Sequence, residues 1–215
     1  MPHPEDALKI VSPGDVATKM RLDYSRGIKD ATTKAIEELH GLCTKLARPD
    51  VDLNAFLKET AEMISRLFGI ASVAVAIWDP AMKHYKYEIV IGVGEESVKG
   101  FKQLFYTKEQ LFNERTYPSH EVSKQTRLYL SEERPYAENE EFSYNRPALL
   151  GMKRHSLTDS LEADYLCVYL HGPGDEILGW MEISGTKFRK LPDVTTIKWI
   201  ELIGSMIVLA VRSKR

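Results

Sequence analysis

The run Ile70-Ala71-Ser72-Val73-Ala74-Val75-Ala76-Ile77-Trp78 constrains this chain more than any other feature. No charge interrupts it, and its period is two: Val73, Val75 and Ile77 point one way, Ser72, Ala74, Ala76 and Trp78 the other. A strand bare of charge on both faces needs cover on both, because a half-solvated sheet alternates polar with apolar residues. The two faces differ in bulk. The row of Ser and Ala leaves room for something close against the sheet, either a packed helix or a ligand. Asp79-Pro80 breaks the run, and Tyr85 to Ile91 returns as the second strand of a hairpin.

Just upstream, Leu53, Phe56, Leu57, Met63, Ile64, Leu67 and Phe68 form a helical stripe. Asp50 or Asp52 can cap its start by accepting from unsatisfied backbone N–H groups, and Gly69 can end it in the left-handed conformation. An earlier stripe, Ile28, Ala31, Ala35, Ile36, Leu39, Leu42, Cys43 and Leu46, predicts a helix that Pro49 stops. Residues 1–27 mix Pro2, Pro4, Pro13 and Gly14 with charge and read as an irregular arm, with a short helical turn around Val16 to Leu22.

The C-terminal third is equally legible. Leu166, Val168 and Leu170 alternate with Tyr165, Cys167, Tyr169 and His171; Gly172-Pro173-Gly174-Asp175 turns the chain; Ile177 to Ser184 runs back. Asp193 is positioned to cap a last helix whose stripe is Ile197, Ile200, Ile203, Gly204, Ile207, Val208 and Val211. Between the hairpins, residues 95–163 are hard to read. One or two short helices fit before Phe112, with Thr107 and Gln110 spaced as a capping box, and a strand fits Gln125 to Leu130. Glu132, Glu133, Glu138, Glu140 and Glu141 make an exposed, solvated segment bounded by Pro135 and Pro147. Hairpins alternating with helices argue for an antiparallel sheet in an α/β domain of the α+β type, spanning 28–212 as one unit with an irregular middle.

Composition removes several function classes. A formal net charge of -2 without clustered Lys and Arg gives no footprint for nucleic acid. The strongly apolar stretch Met206 to Val211 is too short to span a bilayer, and Pro2-His3-Pro4-Glu5-Asp6 opens no signal peptide, so a cytoplasmic location without a membrane partner is expected. Cys43 and Cys167, 124 residues apart, read as small buried hydrophobes. His84, His120, His155 and His171 stand at no metal-ligand spacing, and neither a nucleophile elbow nor a phosphate loop occurs. A non-catalytic chain is the resulting expectation.

Three stretches resemble the GAF domain family of small-molecule sensing modules, related in fold to PAS domains. Met63-Ile64-Ser65-Arg66-Leu67-Phe68-Gly69 running into Ala71 to Asp79 is similar to the family's opening. Tyr165 to Leu170, the turn at Gly174-Asp175, and Ile177 to Ser184 are similar to its closing hairpin, and Val194 to Val211 to its terminal helix. The resemblance implies about six antiparallel strands, N- and C-terminal helices on one face and a ligand pocket on the other. It also implies terminal helices that pair with a second subunit, here a homodimer, and signal to an output domain; with none in this sequence, the chain is expected to be either a stand-alone sensor or the partner of a separate output protein. Clustered cysteines of the kind some relatives use to reduce methionine sulfoxide are absent.

The alternation nominates Ala74, Ala76 and Trp78, with Tyr85 and Tyr87 or their opposite-parity neighbours, and Tyr165, Cys167 and Tyr169, with Gly179 and Met181 opposite, as lining of that far face. An apolar wall with a few polar tips suits a small organic ligand, though the pattern names no cofactor. The alternative is an interaction module whose aromatic residues fill the pocket. A third reading places an enzyme site in the middle segment, using Arg127, Arg134, Arg146 and His155 to clamp an anion.

Overall fold

The computed structural model describes residues 13–26, 31–111, 113–133 and 153–214. The caps act first. Asp52 accepts from the Ala55 backbone N–H at 2.7 Å and starts α3, Leu53–Phe68; Gly69 (φ 64°) ends it and delivers the chain into β1, Val73–Asp79. Asp193 accepts from the Thr196 N–H at 2.7 Å and starts α6, Val194–Ser213. Thr107 and Gln110 form the expected capping box on the short helix α5, Lys108–Leu111. The other helices are α1, Pro13–Arg26, α2, Ala31–Leu46, and α4, Glu95–Gln103.

Within the arm, helix runs from Pro13 to Arg26, longer than the turn expected around Val16 to Leu22. The chain forms two compact units, Met1–Gly41 and Leu42–Arg215, dividing inside α2. The first holds α1 and the start of α2. The second holds the sheet.

Among the described residues seven strands, against the about six expected, run antiparallel in the order β3-β2-β1-β7-β6-β5-β4. Besides β1 they are β2, His84–Ile91; β3, Phe105–Tyr106; β4, His120–Glu121; β5, Thr126–Tyr129; β6, Tyr165–His171; and β7, Ile177–Ser184. The edges β3 and β4 are two residues each, too short for any periodicity to reveal. Helices α3 and α6 pack on one face of the sheet and against each other. Gly204 lets α6 approach closely: an added Cβ would stand 3.3 Å from both Leu170 Cδ2 and Met181 Cε.

Helix α6 is also tied to the far edge of the sheet. Its Glu201 is buried and accepts from Thr126 Oγ1 at 2.8 Å, from the Ser123 hydroxyl, and from Lys198 Nζ at 2.9 Å. Burial alone would raise that carboxyl's pKa, but the three donors outweigh burial and hold it below the usual range. α6 is the one helix among the described residues long and apolar enough to cross a membrane, exceeding the six-residue stretch seen in the sequence; half of the qualifying window is buried in the protein. Cys43 departs from expectation and is exposed, whereas Cys167 is buried.

Candidate functional site

On the face away from α3 and α6, register brings side chains into rows. Ala76 pairs with Tyr87 on one side and Trp180 on the other, and Trp180 with Tyr169. The next row runs Val90, Ala74, Glu182, Cys167, Arg127. Because Ala74 and Ala76 are short, their neighbours' rings fill the space above them. Tyr85 and Trp180 have centroids 4.9 Å apart, Tyr87 and Trp180 6.0 Å, and Tyr106 of β3 and Phe101 of α4 close over Tyr87. Part of the space that small residues leave is therefore taken by the protein's own aromatics.

What stays open lies at one end of this cluster. A cavity of about 410 Å³ is walled by Ala71 to Ala74, Val90 to Gly94, Ser97 and Phe101 of α4, Ser160 to Ala163, and Tyr165, with Ser184 and Arg189 at its margin. Glu182 lies in its wall. A second void of about 20 Å³, the size of a water, sits among Tyr87, Tyr117, Tyr129, Tyr165, Cys167 and Trp180 and also touches Glu182.

Glu182 is the acid at the centre of this face, 9% exposed. The same carboxylate oxygen, Oε1, accepts from Trp180 Nε1 at 2.9 Å and from the Tyr87 hydroxyl. A carboxylate this far from water needs such donors. Nearby groups are held neutral: burial first, then the charge of Glu182, pushes the Cys167 thiol well up, and burial pushes Tyr129 to about 12. Tyr129 stacks on Tyr165 (4.6 Å, 7° between planes), and its hydroxyl meets that of Tyr169 at 3.1 Å. A thiol held protonated is a poor nucleophile.

The nominated residues divide into three groups. Ala74 and Tyr165 line the larger cavity; Tyr87, Cys167 and again Tyr165 line the small void. Ala76, Tyr85 and Tyr169 belong to the aromatic cluster, with Trp78 packed against it. Gly179 and Met181 are corrected: they lie on the helix side, where Met181 approaches Gly204. A bulge is the cause. His171 pairs with Ile177 but Leu170 with Gly179, so Leu178 is an extra residue and every later side chain of β7 changes face. Tyr169 therefore faces Trp180, not Gly179. The residues missed are therefore Trp180, Glu182 and Ser184. One signal was present, a lone charge inside an apolar strand.

Among the described residues no three His, Cys, Asp or Glu side chains form a group that could hold a metal ion. Of the arginine clamp, Arg127 sits 3.7 Å from Glu121 and His155 is exposed in a turn; Arg134 and Arg146 lie outside the described residues, as do Glu138, Glu140 and Glu141 of the acidic segment.

No family model and no curated protein matches the sequence. Solved structures do match. The GAF domain of A. aeolicus nlh2 in an inactive state has a TM-score of 0.55 at 13% identity, covering 86% of this chain and 100% of the other. A GAF domain/HD domain protein from Geobacter sulfurreducens gives 0.53 at 13%, covering 75% and 92%. The phycoerythrobilin-bound GAF domain of a cyanobacterial phytochrome gives 0.50 at 11%, covering 83% and 95%. The fold is that of a GAF domain. Within this GAF fold the aromatic face and its cavity lie on the side of the sheet opposite α3 and α6.

Proposed function

We propose that this GAF-fold chain is a non-catalytic, small-molecule-binding regulatory domain whose ligand occupies the cavity beside Glu182. The carrying observation is a cavity of about 410 Å³, largely apolar, with one buried carboxylate held in place by two donors. That volume lies within the range of small-molecule sites. A ligand N–H or cationic group reaching Glu182 would make a charge-assisted bond shielded from water. The phycoerythrobilin of the cyanobacterial neighbour is an organic ligand on the same fold. The neutral Cys167 thiol gives no support to a nucleophilic reaction.

Native mass spectrometry of gently purified protein, followed by a thermal-shift screen of nucleotides and metabolites, tests this reading. A retained or stabilising compound is expected, since binding only the folded state raises apparent stability. Glu182→Gln keeps the shape and removes the charge, and should weaken that compound about tenfold or more. Equal affinity in the variant would place the ligand elsewhere.

Signalling would pass through a helical dimer. Support comes from Leu202 (50% exposed) and Leu209 (58%), two turns apart on one side of α6. Light scattering on the eluting protein should give the mass of two chains at micromolar concentration, and Leu202→Glu with Leu209→Glu should give one. A monomeric wild type would overturn the dimer.

A further inference from the structure

Two turns beside the cavity mouth carry tips, at Leu157 and Phe188, that lie outside the cavity lining. Residues 153–160 and 186–191 are locked together: Ser160 N–H donates to Arg189 O at 2.9 Å, Leu191 N–H to Thr158 O at 2.8 Å, and Lys190 Nζ meets Asp159 at 2.6 Å. Asp159 also accepts from the backbone N–H groups of His155 (2.9 Å) and Ser156 (2.8 Å), and with Lys190 beside it its pKa is held down at about 2. The tips are therefore fixed rather than loose. At one tip stands Leu157, 96% exposed; at the other Phe188, 86% exposed. These are the two most exposed large hydrophobic side chains of the described residues.

Cations surround them. Arg154 pairs with Glu132 and Asp164, and Lys190 with Asp159, but Lys153, Lys187 and Arg189 are exposed and make no ion pair among the described residues. Against these three stand exposed Glu162 and the neutralised Asp159. Counting the paired groups as well, the five cations Lys153, Arg154, Lys187, Arg189 and Lys190 exceed the four acids Glu132, Asp159, Glu162 and Asp164 by one among the described residues.

We propose that this pair of turns docks the protein on an anionic lipid surface, with Leu157 and Phe188 entering the interfacial layer and Lys153, Lys187 and Arg189 meeting the headgroups. Protruding apolar tips need no complementary groove when the partner is a fluid bilayer, and flanking Lys and Arg add the electrostatic half of such binding. A protein partner of acidic character would instead have to supply a fitted pocket for each tip.

The full chain should co-sediment with vesicles of phosphatidylcholine and phosphatidylserine in equal parts, and not with pure phosphatidylcholine. Each of Leu157→Ser and Phe188→Ser should weaken binding about tenfold. Each of Lys153→Gln, Lys187→Gln and Arg189→Gln should weaken it about fivefold. Added salt should weaken the wild type as well. All five positions are exposed, so circular dichroism should stay unchanged. Four results would overturn the proposal, of which three are no preference for the anionic vesicles; binding indifferent to Leu157 and Phe188; and vesicles ignored while polyglutamate is bound through the same residues, which would assign the surface to an acidic protein. A patch whose loss only changes the mass in light scattering would be a self-contact, and would overturn it too.

Discussion

Gly179→Ala is expected to destabilise the protein by about 3 kcal/mol or more. An added Cβ would stand 2.1 Å from the Ala76 carbonyl oxygen and 3.1 Å from Ile77 Cα, both backbone atoms of the neighbouring central strand. Backbone cannot swing aside as a side chain can, so β1 and β7 would have to part at the Ile77–Gly179 pair. Urea unfolding monitored by circular dichroism should show the midpoint fall at constant slope. A loss below about 1 kcal/mol would mean that the two strands can separate cheaply. Gly41→Ala serves as control. Nothing stands within 4 Å of its added Cβ, and alanine inside α2 should be stabilising by about 0.5–1 kcal/mol.

Trp180→Ala should cost about 3–5 kcal/mol, as a large buried ring replaced by a cavity does. Trp180 is among the largest fully buried side chains and contacts the rings of Tyr85, Tyr87 and Tyr106. It also donates to Glu182, so the packing and polar contributions need separating. Trp180→Phe keeps most of the ring and removes the donor, and should cost about 1–3 kcal/mol. Equal losses for the two variants would show that the hydrogen bond, rather than the packing, dominates.

The frame of the fold was legible because local chemistry and long-range pattern agreed there. Asp52, the stripe from Leu53 to Phe68, and Gly69 specify one helix without help from the rest of the chain. The uncharged run from Val73 to Ile77 required cover on both faces, and α3 and α6 on one side and the aromatic cluster on the other supply it. The site was half legible. Ala74 and Tyr165 follow from parity within their own strands, which no distant event disturbs. Trp180 and Glu182 depend on parity across the hairpin, which the extra residue Leu178 inverts, and no composition rule marks a bulge of that kind. Ser160 to Ala163 and Arg189 reach the cavity through irregular turns whose positions rest on Asp159, Asp164 and Arg154 side chains bonding to backbone.

The bulge at Leu178 also sets a rule of length. Loops ordinarily absorb insertions and deletions, since the chain closes over them at small entropic cost. Here, removing one residue between Gly174 and Trp180 would turn Trp180 and Glu182 toward α6 and drive Met181 and Ile183 into the aromatic face. Among relatives of this chain, changes of length in that hairpin should then be rarer than substitutions at its turn. The spacing, more than the identity of its residues, decides which side of the sheet carries the acid.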